Sequence, residues 1–122
     1  MQFNYMLLFL MIIFVSASFN VSPQQLEREQ KKGGKFFVRY YAPWCGFCKM
    51  MSYDYKKLFR KYKGTKVTVC QIDCDKYNGY CEKMGIEGFP TLKLFDGTSL
   101  ISEYEKERTY KDMDKFLSDY LA

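Results

Sequence analysis

The sequence predicts an α/β domain in which a mixed β-sheet lies between helices. Segments with helical periodicity alternate with short runs of β-branched and aromatic residues, and this alternation requires parallel strands joined by crossovers. An Asp96-Gly97 pair between two of these runs is typical of a tight hairpin, which adds an antiparallel strand. The chain of 122 residues suits one domain.

The predicted elements follow the order β-α-β-α-β-α-β-β-α. Ser22 and Pro23 form a cap and first-turn pair that begins the first helix, of about ten residues, and Gly33 with Gly34 ends it. The strands are predicted over 19–21, 36–41, 67–72, 91–95 and 100–104. The other helices are predicted from about Cys45 to Gly64, within 73–85, and over 111–121.

The helix after Cys45 is predicted to bury one face. Its apolar residues recur at alternating spacings of three and four, which places them on one side of a helix: Cys48, Met51, Tyr55, Leu58 and Tyr62. The basic residues on another side are interpreted as a solvated face: Lys49, Lys56, Arg60 and Lys63.

Composition excludes several classes of function. The chain has no histidine, which excludes Ser-His-Asp and Cys-His catalysis and any metal site that needs imidazole. The 19 basic and 14 acidic residues are interspersed and give a net charge of +5, so we expect no nucleic-acid partner. The five cysteines therefore become the main candidates for chemistry.

Residues 1–18 are predicted to be a secretory signal peptide. Met6 to Val15 is an unbroken apolar run, and small residues after it permit cleavage near Ser18. The alternative is an uncleaved membrane anchor over Phe3 to Phe19, at the lower limit of spanning length. Either way, the domain over 19–122 is expected in an oxidising compartment, the endoplasmic reticulum lumen or the extracellular space.

Cys45 and Cys48 form a Cys-x-x-Cys pair where a buried strand passes into a helix. A thiol in the first helical turn faces unpaired backbone N–H groups and the positive end of the helix dipole, which stabilise a thiolate. Cys45 is therefore the candidate nucleophile, and Cys48 the thiol that resolves its mixed disulfide. Gly46 permits close approach at the turn, and Trp44 offers a flat apolar surface beside it.

Two other uses of this pair remain open from the residues alone. A structural zinc site would need Cys74 and Cys81 as its further ligands, although their spacing is unlike that of a zinc knuckle. An inert disulfide is the other alternative, although an exposed junction of loop and helix favours reactivity. We expect neither a bound metal nor an organic cofactor.

The run YAPWCGFCK, from Tyr41 to Lys49, resembles the active-site motif of the thioredoxin superfamily. It is similar in particular to the catalytic domains of protein disulfide isomerases, whose usual form is YAPWCGHCK. The resemblance extends from about residue 21 to 121 and implies a thioredoxin fold, with helices on both faces of a mixed sheet. It also implies a thiol-disulfide oxidoreductase that forms, reduces or rearranges disulfides in cysteine-containing proteins. Glutathione or an oxidase or reductase would be its redox partner, and we expect a monomer.

The segment GIEGFPT, from Gly85 to Thr91, resembles the family loop that carries a cis-proline. The resemblance implies that Pro90 is cis and lies against Cys45, and that the backbone of Phe89 pairs with a substrate polypeptide. Without the resemblance, Pro90 would be interpreted as an ordinary trans residue at a strand start.

The resemblance also assigns roles to residues outside the motif. Arg108 matches an arginine that, in the family, approaches the active site and tunes the resolving thiol. The alternative for Arg108 is a solvated side chain. Cys74 and Cys81 resemble a second disulfide found in some isomerase-type domains. Cys70, on a predicted strand, is interpreted as a buried free thiol, with intermolecular pairing as the alternative.

Three residues depart from the family pattern. Phe47 replaces a histidine that favours the thiolate, so its presence should raise the pKa of Cys45 and weaken the domain as an oxidant. Arg39 replaces a buried acid that accepts the proton of the resolving thiol. An arginine cannot do this, so we expect an acidic Cys45 but slow resolution, unless Arg39 turns to the surface at the strand end. Tyr53 replaces a helix-kinking proline, so a straighter helix is expected.

Two other functions are considered. Trp44, Phe47 and Phe89 could form an apolar patch on a low-turnover chaperone or binding module. A reductase supplied by a membrane electron donor would fit the uncleaved anchor.

Overall fold

The computed structural model describes residues 18–121, which form a four-stranded sheet covered by helices on both faces. The predicted signal peptide lies outside the described residues, apart from Ser18, and stays a prediction. Within residues 18–121, no helix is both long enough and apolar enough to cross a membrane.

The order of helices and strands agrees with the prediction except at the first strand. Ser22 and Gln25 form a capping box that begins the first helix. Because the helix begins there, the strand predicted over 19–21 is reduced to one isolated β-bridge between Asn20 and Gln71. The strands are β1 Lys35–Tyr41, β2 Val67–Asp73, β3 Thr91–Asp96 and β4 Ser99–Glu103. The helices are α1 Pro23–Lys31, α2 Gly46–Tyr62, α3 Asn78–Lys83 and α4 Tyr110–Leu121.

The sheet is mixed, with the strand order β2-β1-β3-β4. Strand β1 runs parallel to β2 and antiparallel to β3, and β3 pairs with β4 as a hairpin. Gly97 has a φ of 59°, the left-handed conformation that a tight hairpin turn needs. Because β1 and β2 are parallel, their carboxyl ends lie at the same edge of the sheet. Ligands of open α/β sheets bind at this edge.

Strand β1 is buried on both faces, as expected for the centre of the sheet. Phe37 points into a core shared with α2 and α4, and Phe36, Val38 and Tyr40 point into a second core shared with α1. A disulfide between Cys74 and Cys81 joins the segment after β2 to α3 beside this second core.

Helix α2 is held against the sheet by its predicted apolar face, all five residues of which are buried. The face also carries the hydroxyl of Tyr55, which points at the sheet. This hydroxyl lies 2.9 Å from the carbonyl oxygen of Phe37 on β1 and 2.7 Å from that of Cys70 on β2. The hydroxyl therefore fixes α2 over the parallel strand pair that leads to the cysteines.

We predict that Tyr55→Phe lowers the free energy of unfolding by about 1–2 kcal/mol, because buried carbonyl oxygens lose a donor. Urea denaturation measures the loss. Tyr53→Phe, on the same helix but 76% exposed, is the matched control and should change stability little. Equal losses in the two variants would show that the buried hydroxyl contributes nothing specific.

Candidate active site

Cys45 is the N-cap residue of α2, and its sulfur occupies the place of a capping oxygen. The backbone is extended at this residue, with φ −76° and ψ 122°, which turns Sγ toward the first helical turn. Sγ accepts a hydrogen bond from the backbone N–H of Cys48 at 3.4 Å. Cys45 remains 8% exposed and Cys48 only 1%, so one sulfur reaches the surface and the other lies beneath it.

The loop before β3 lies against the first cysteine. The peptide bond between Phe89 and Pro90 is cis, and the carbonyl oxygen of Phe89 lies 3.5 Å from Sγ of Cys45. The ring of Phe89 packs edge-on against Trp44 at 5.9 Å, and the indole N–H of Trp44 donates to Asp75. The sulfur of Cys45 is thus bordered by an aromatic pair and a backbone carbonyl.

Cys45 has the properties of a nucleophile. Burial opposes its ionisation, but hydrogen bonds from Cys48 and from the backbone N–H of Phe47 outweigh burial and hold the pKa of Cys45 below its usual value. The positive charge of Arg108 acts in the same direction. The pKa is therefore low even though a neutral phenylalanine occupies position 47.

Cys48 has the opposite character. Burial raises its pKa to about 11, and the neighbouring Cys45 adds to the increase. Arg39 partly opposes it through its positive charge. The two thiols of the pair therefore differ in direction, since the pKa of Cys45 is lowered and that of Cys48 is raised.

Arg39 is buried beneath the cysteines, so the alternative in which it turns to the surface is wrong. It is 3% exposed. Its Nε and Nη2 donate to Oε1 of Gln71 at 2.9 and 2.6 Å, and its Nη1 donates to the carbonyl oxygen of Cys48 at 2.9 Å. Gln71 was not among the predicted site residues. The signal that could have found it is a polar side chain in a strand that is otherwise buried on both faces.

Arg108 is exposed and borders a groove that Phe47 and Pro90 also line. Its charge contributes to the low pKa of Cys45, whereas the resemblance implied an effect on the resolving thiol. Gly46 is the first residue of α2, and a Cβ there would meet nothing within 4 Å, so this turn does not need glycine for space.

Cys74 and Cys81 form a disulfide and are not available to zinc, which removes the zinc site considered from the sequence. In the described part of the chain, no three acidic, histidine or cysteine side chains cluster as a metal site would require. Cys70 is a free, buried thiol, as interpreted from its strand.

A comparison with protein families matches residues 17–119 to the thioredoxin family. The chain belongs to this family. Among curated thioredoxin relatives, a probable protein disulfide-isomerase A6 from Medicago sativa is 34% identical, over 88% of this chain and 31% of the relative. A thioredoxin domain-containing protein from Schizosaccharomyces pombe, named as mitochondrial, has the same identity and coverage.

The thioredoxin fold is also shown by solved structures. The Trx4 domain of ERdj5 is 30% identical and superposes with a TM-score of 0.73, over 87% of this chain and 96% of that domain. The chain spans less than a third of the length of the curated relatives described above. The match therefore concerns one thioredoxin domain of those proteins.

We predict that Arg108→Met moves the alkylation of Cys45 to higher pH, because loss of the positive charge raises the pKa of the thiol. The rate of iodoacetamide modification is measured against pH with Cys48 replaced by serine in every variant compared. Lys106→Met removes a charge from the same groove and serves as the control, with little displacement expected. Identical curves for both variants would remove Arg108 from the site.

Proposed function

We propose that the protein is a thiol-disulfide oxidoreductase of the protein disulfide isomerase type, with Cys45 as nucleophile and Cys48 as resolving thiol. The observation that carries this proposal is the asymmetry of the pair. The pKa of Cys45, at the helix N-terminus, is lowered and its side chain keeps slight exposure, whereas Cys48 is fully buried beneath it with a pKa raised to about 11. An inert disulfide would need no such difference.

The reaction transfers two electrons between dithiol and disulfide. The Cys45 thiolate attacks one sulfur of a substrate disulfide, the substrate bond breaks, and the other substrate sulfur leaves as a thiolate. Cys48 then loses its proton and attacks Sγ of Cys45. The mixed disulfide breaks, the second substrate thiolate leaves, and the domain is oxidised while the substrate is reduced. The reverse sequence oxidises a substrate dithiol. A disulfide is rearranged when another substrate thiolate attacks the substrate sulfur of the mixed disulfide, which forms a new substrate disulfide and releases Cys45 as a thiolate.

Cysteine-containing proteins are the proposed substrates. The rings of Trp44 and Phe47 are largely exposed next to Cys45, and Phe89 presents its ring at the same edge. Apolar surface at this position suits an unfolded or flexible polypeptide. Glutathione or a protein oxidase or reductase is the proposed redox partner, and the active species is proposed to be a monomer.

The proposed location is the secretory pathway, either the endoplasmic reticulum lumen or the extracellular space. Support comes from the apolar run at residues 6–15 and from the Cys74–Cys81 disulfide, since structural disulfides persist in oxidising compartments. In this proposal residues 1–18 are the signal peptide and residues 19–122 are the working domain. The name of the mitochondrial relative makes mitochondria the competing location.

A chaperone or binding module is the second candidate function. Four large apolar side chains are exposed around the site, and two of them lie further along α2: Trp44, Phe47, Met50 and Tyr53. Such a surface would hold unfolded chains even without turnover. The two candidates differ in whether they need the sulfur of Cys45.

We predict that Cys45→Ser abolishes the reduction of insulin disulfides, because serine at neutral pH provides no comparable nucleophile. Cys48→Ser is expected to attack substrate but to stop at the mixed disulfide. It should therefore form a covalent adduct with insulin that survives non-reducing electrophoresis and disappears with dithiothreitol.

The double variant Cys45→Ser/Cys48→Ser is the control for trapping and should form no adduct. Equal activity of the wild type and Cys45→Ser, in insulin reduction or in refolding of scrambled ribonuclease, would contradict the oxidoreductase and support the binding module.

A further inference from the structure

We propose that the buried charge of Arg39 stabilises the thiolate of Cys48 that forms during exchange, and so sets the rate at which mixed disulfides are resolved. This inference rests on the proposed function, because it concerns the same two sulfurs. Arg39 contacts the backbone of Cys48 and not the reacting sulfur, so it acts as a positioning and electrostatic residue.

The geometry ties the guanidinium to the resolving cysteine. Nη1 of Arg39 donates to the carbonyl oxygen of Cys48, which also accepts from the hydroxyl of Ser52 at 2.7 Å. The other side of the guanidinium is fixed by Gln71, its partner in register on β2. The charge is thus held between the sheet and the first turns of α2, directly below the cysteines.

This charge has no anionic partner in the described residues. None of the ion pairs found within residues 18–121 includes Arg39. Its contacts are neutral: a side-chain amide, a carbonyl oxygen, a hydroxyl and the faces of two tyrosine rings, Tyr41 at 4.8 Å and Tyr55 at 5.2 Å. A guanidinium keeps its proton over the working pH range, and burial strengthens its field because water does not screen it.

The anion that this field favours is the thiolate of Cys48. When a substrate thiolate attacks Sγ of Cys45 in the oxidised domain, the Cys45–Cys48 bond breaks and Cys48 leaves as a thiolate beside Arg39. In the reverse direction, Cys48 gives its proton to solvent and attacks Sγ of Cys45, releasing the substrate thiolate. A stabilised thiolate speeds departure in the first step and raises the attacking fraction in the second.

Arg39 is distinguished from the other ionisable groups around the sulfurs of Cys45 and Cys48 by its positive charge next to Cys48. The groups that act on Arg39 or on the two sulfurs from β1, α2 and the loop before α4 are Tyr41, Tyr55, Cys45, Cys48 and Arg108. Burial raises the pKa of both tyrosines, so they remain neutral when the thiols ionise. The charge of Arg108 is directed at Cys45. Arg39 is the cation that acts on Cys48.

The test separates the charge of Arg39 from its hydrogen bonds. Arg39→Met removes both, and Arg39→Lys keeps the charge while losing the planar fork that grips Gln71. The rate at which Cys48 releases a thiol from a mixed disulfide preformed on Cys45 is measured at neutral pH for each full-length protein. Removal of the charge should slow this release about tenfold, because a smaller fraction of Cys48 is thiolate. Arg39→Lys should stay within about twofold of the wild type.

The pH profile of resolution provides the second readout. A mixed disulfide is preformed on Cys45 with a small aromatic thiol, and its release by Cys48 is followed against pH. Arg39→Met should displace the curve to higher pH because the Cys48 thiolate loses its stabilising charge, and Arg39→Lys should leave the curve in place. If Arg39→Met does not fold, Arg39→Gln removes the charge and keeps a polar side chain.

Equal shifts in Arg39→Met and Arg39→Lys would make the role structural and overturn the proposal. The proposal would also be overturned if Arg39→Met or Arg39→Gln kept the wild-type rate of release and the wild-type pH profile. Failure of the proposed function looks different: the wild type itself would then show no Cys45–Cys48 disulfide in equilibrium with glutathione.

Discussion

The capping of α2 by the sulfur of Cys45 is the interaction on which the proposed chemistry of the domain depends. The first-turn N–H groups of a helix need acceptors, and here the acceptor is a sulfur that becomes a better partner when it loses its proton. Cys48, one turn further along the same helix, is packed inward, and its burial raises its pKa. One helix end therefore creates two thiols of opposite character.

The position of that helix end depends in turn on buried polar contacts between α2 and the sheet. Tyr55 reaches backbone oxygens on both parallel strands, and Arg39 joins Gln71 on β2 to the carbonyl of Cys48 on α2. Polar groups buried among apolar rows are stable only when they are partnered, so such contacts favour one register and one placement of the helix. Packing and chemistry thus share the same residues.

Local pattern predicts most of the fold and the cysteine pair. The spacing of apolar residues alone predicts all five buried residues of α2. The junction of strand and helix predicts that Cys45 lies at the helix N-terminus. Both signals are local in the sequence. Contacts between residues that are far apart in the sequence leave no such local signal. The carbonyl of Phe89 lies 44 residues from Cys45 in sequence, and only the resemblance to a family predicted that the loop with a cis Pro90 lies against Cys45. Periodicity alone leaves Arg39 undecided, since a long side chain on a strand can turn to water or stay inside, and its partner Gln71 is 32 residues away.

The placement of Cys70 has a consequence for the proposed exchange of disulfides. Cys70 lies in the core on the side of the sheet away from α2, and burial raises its pKa to about 12. A buried, protonated thiol on the far face of the sheet would not compete with Cys45 or Cys48 in the proposed exchange. The proposed reaction would then transfer a single electron pair in each round, although the domain holds a third thiol.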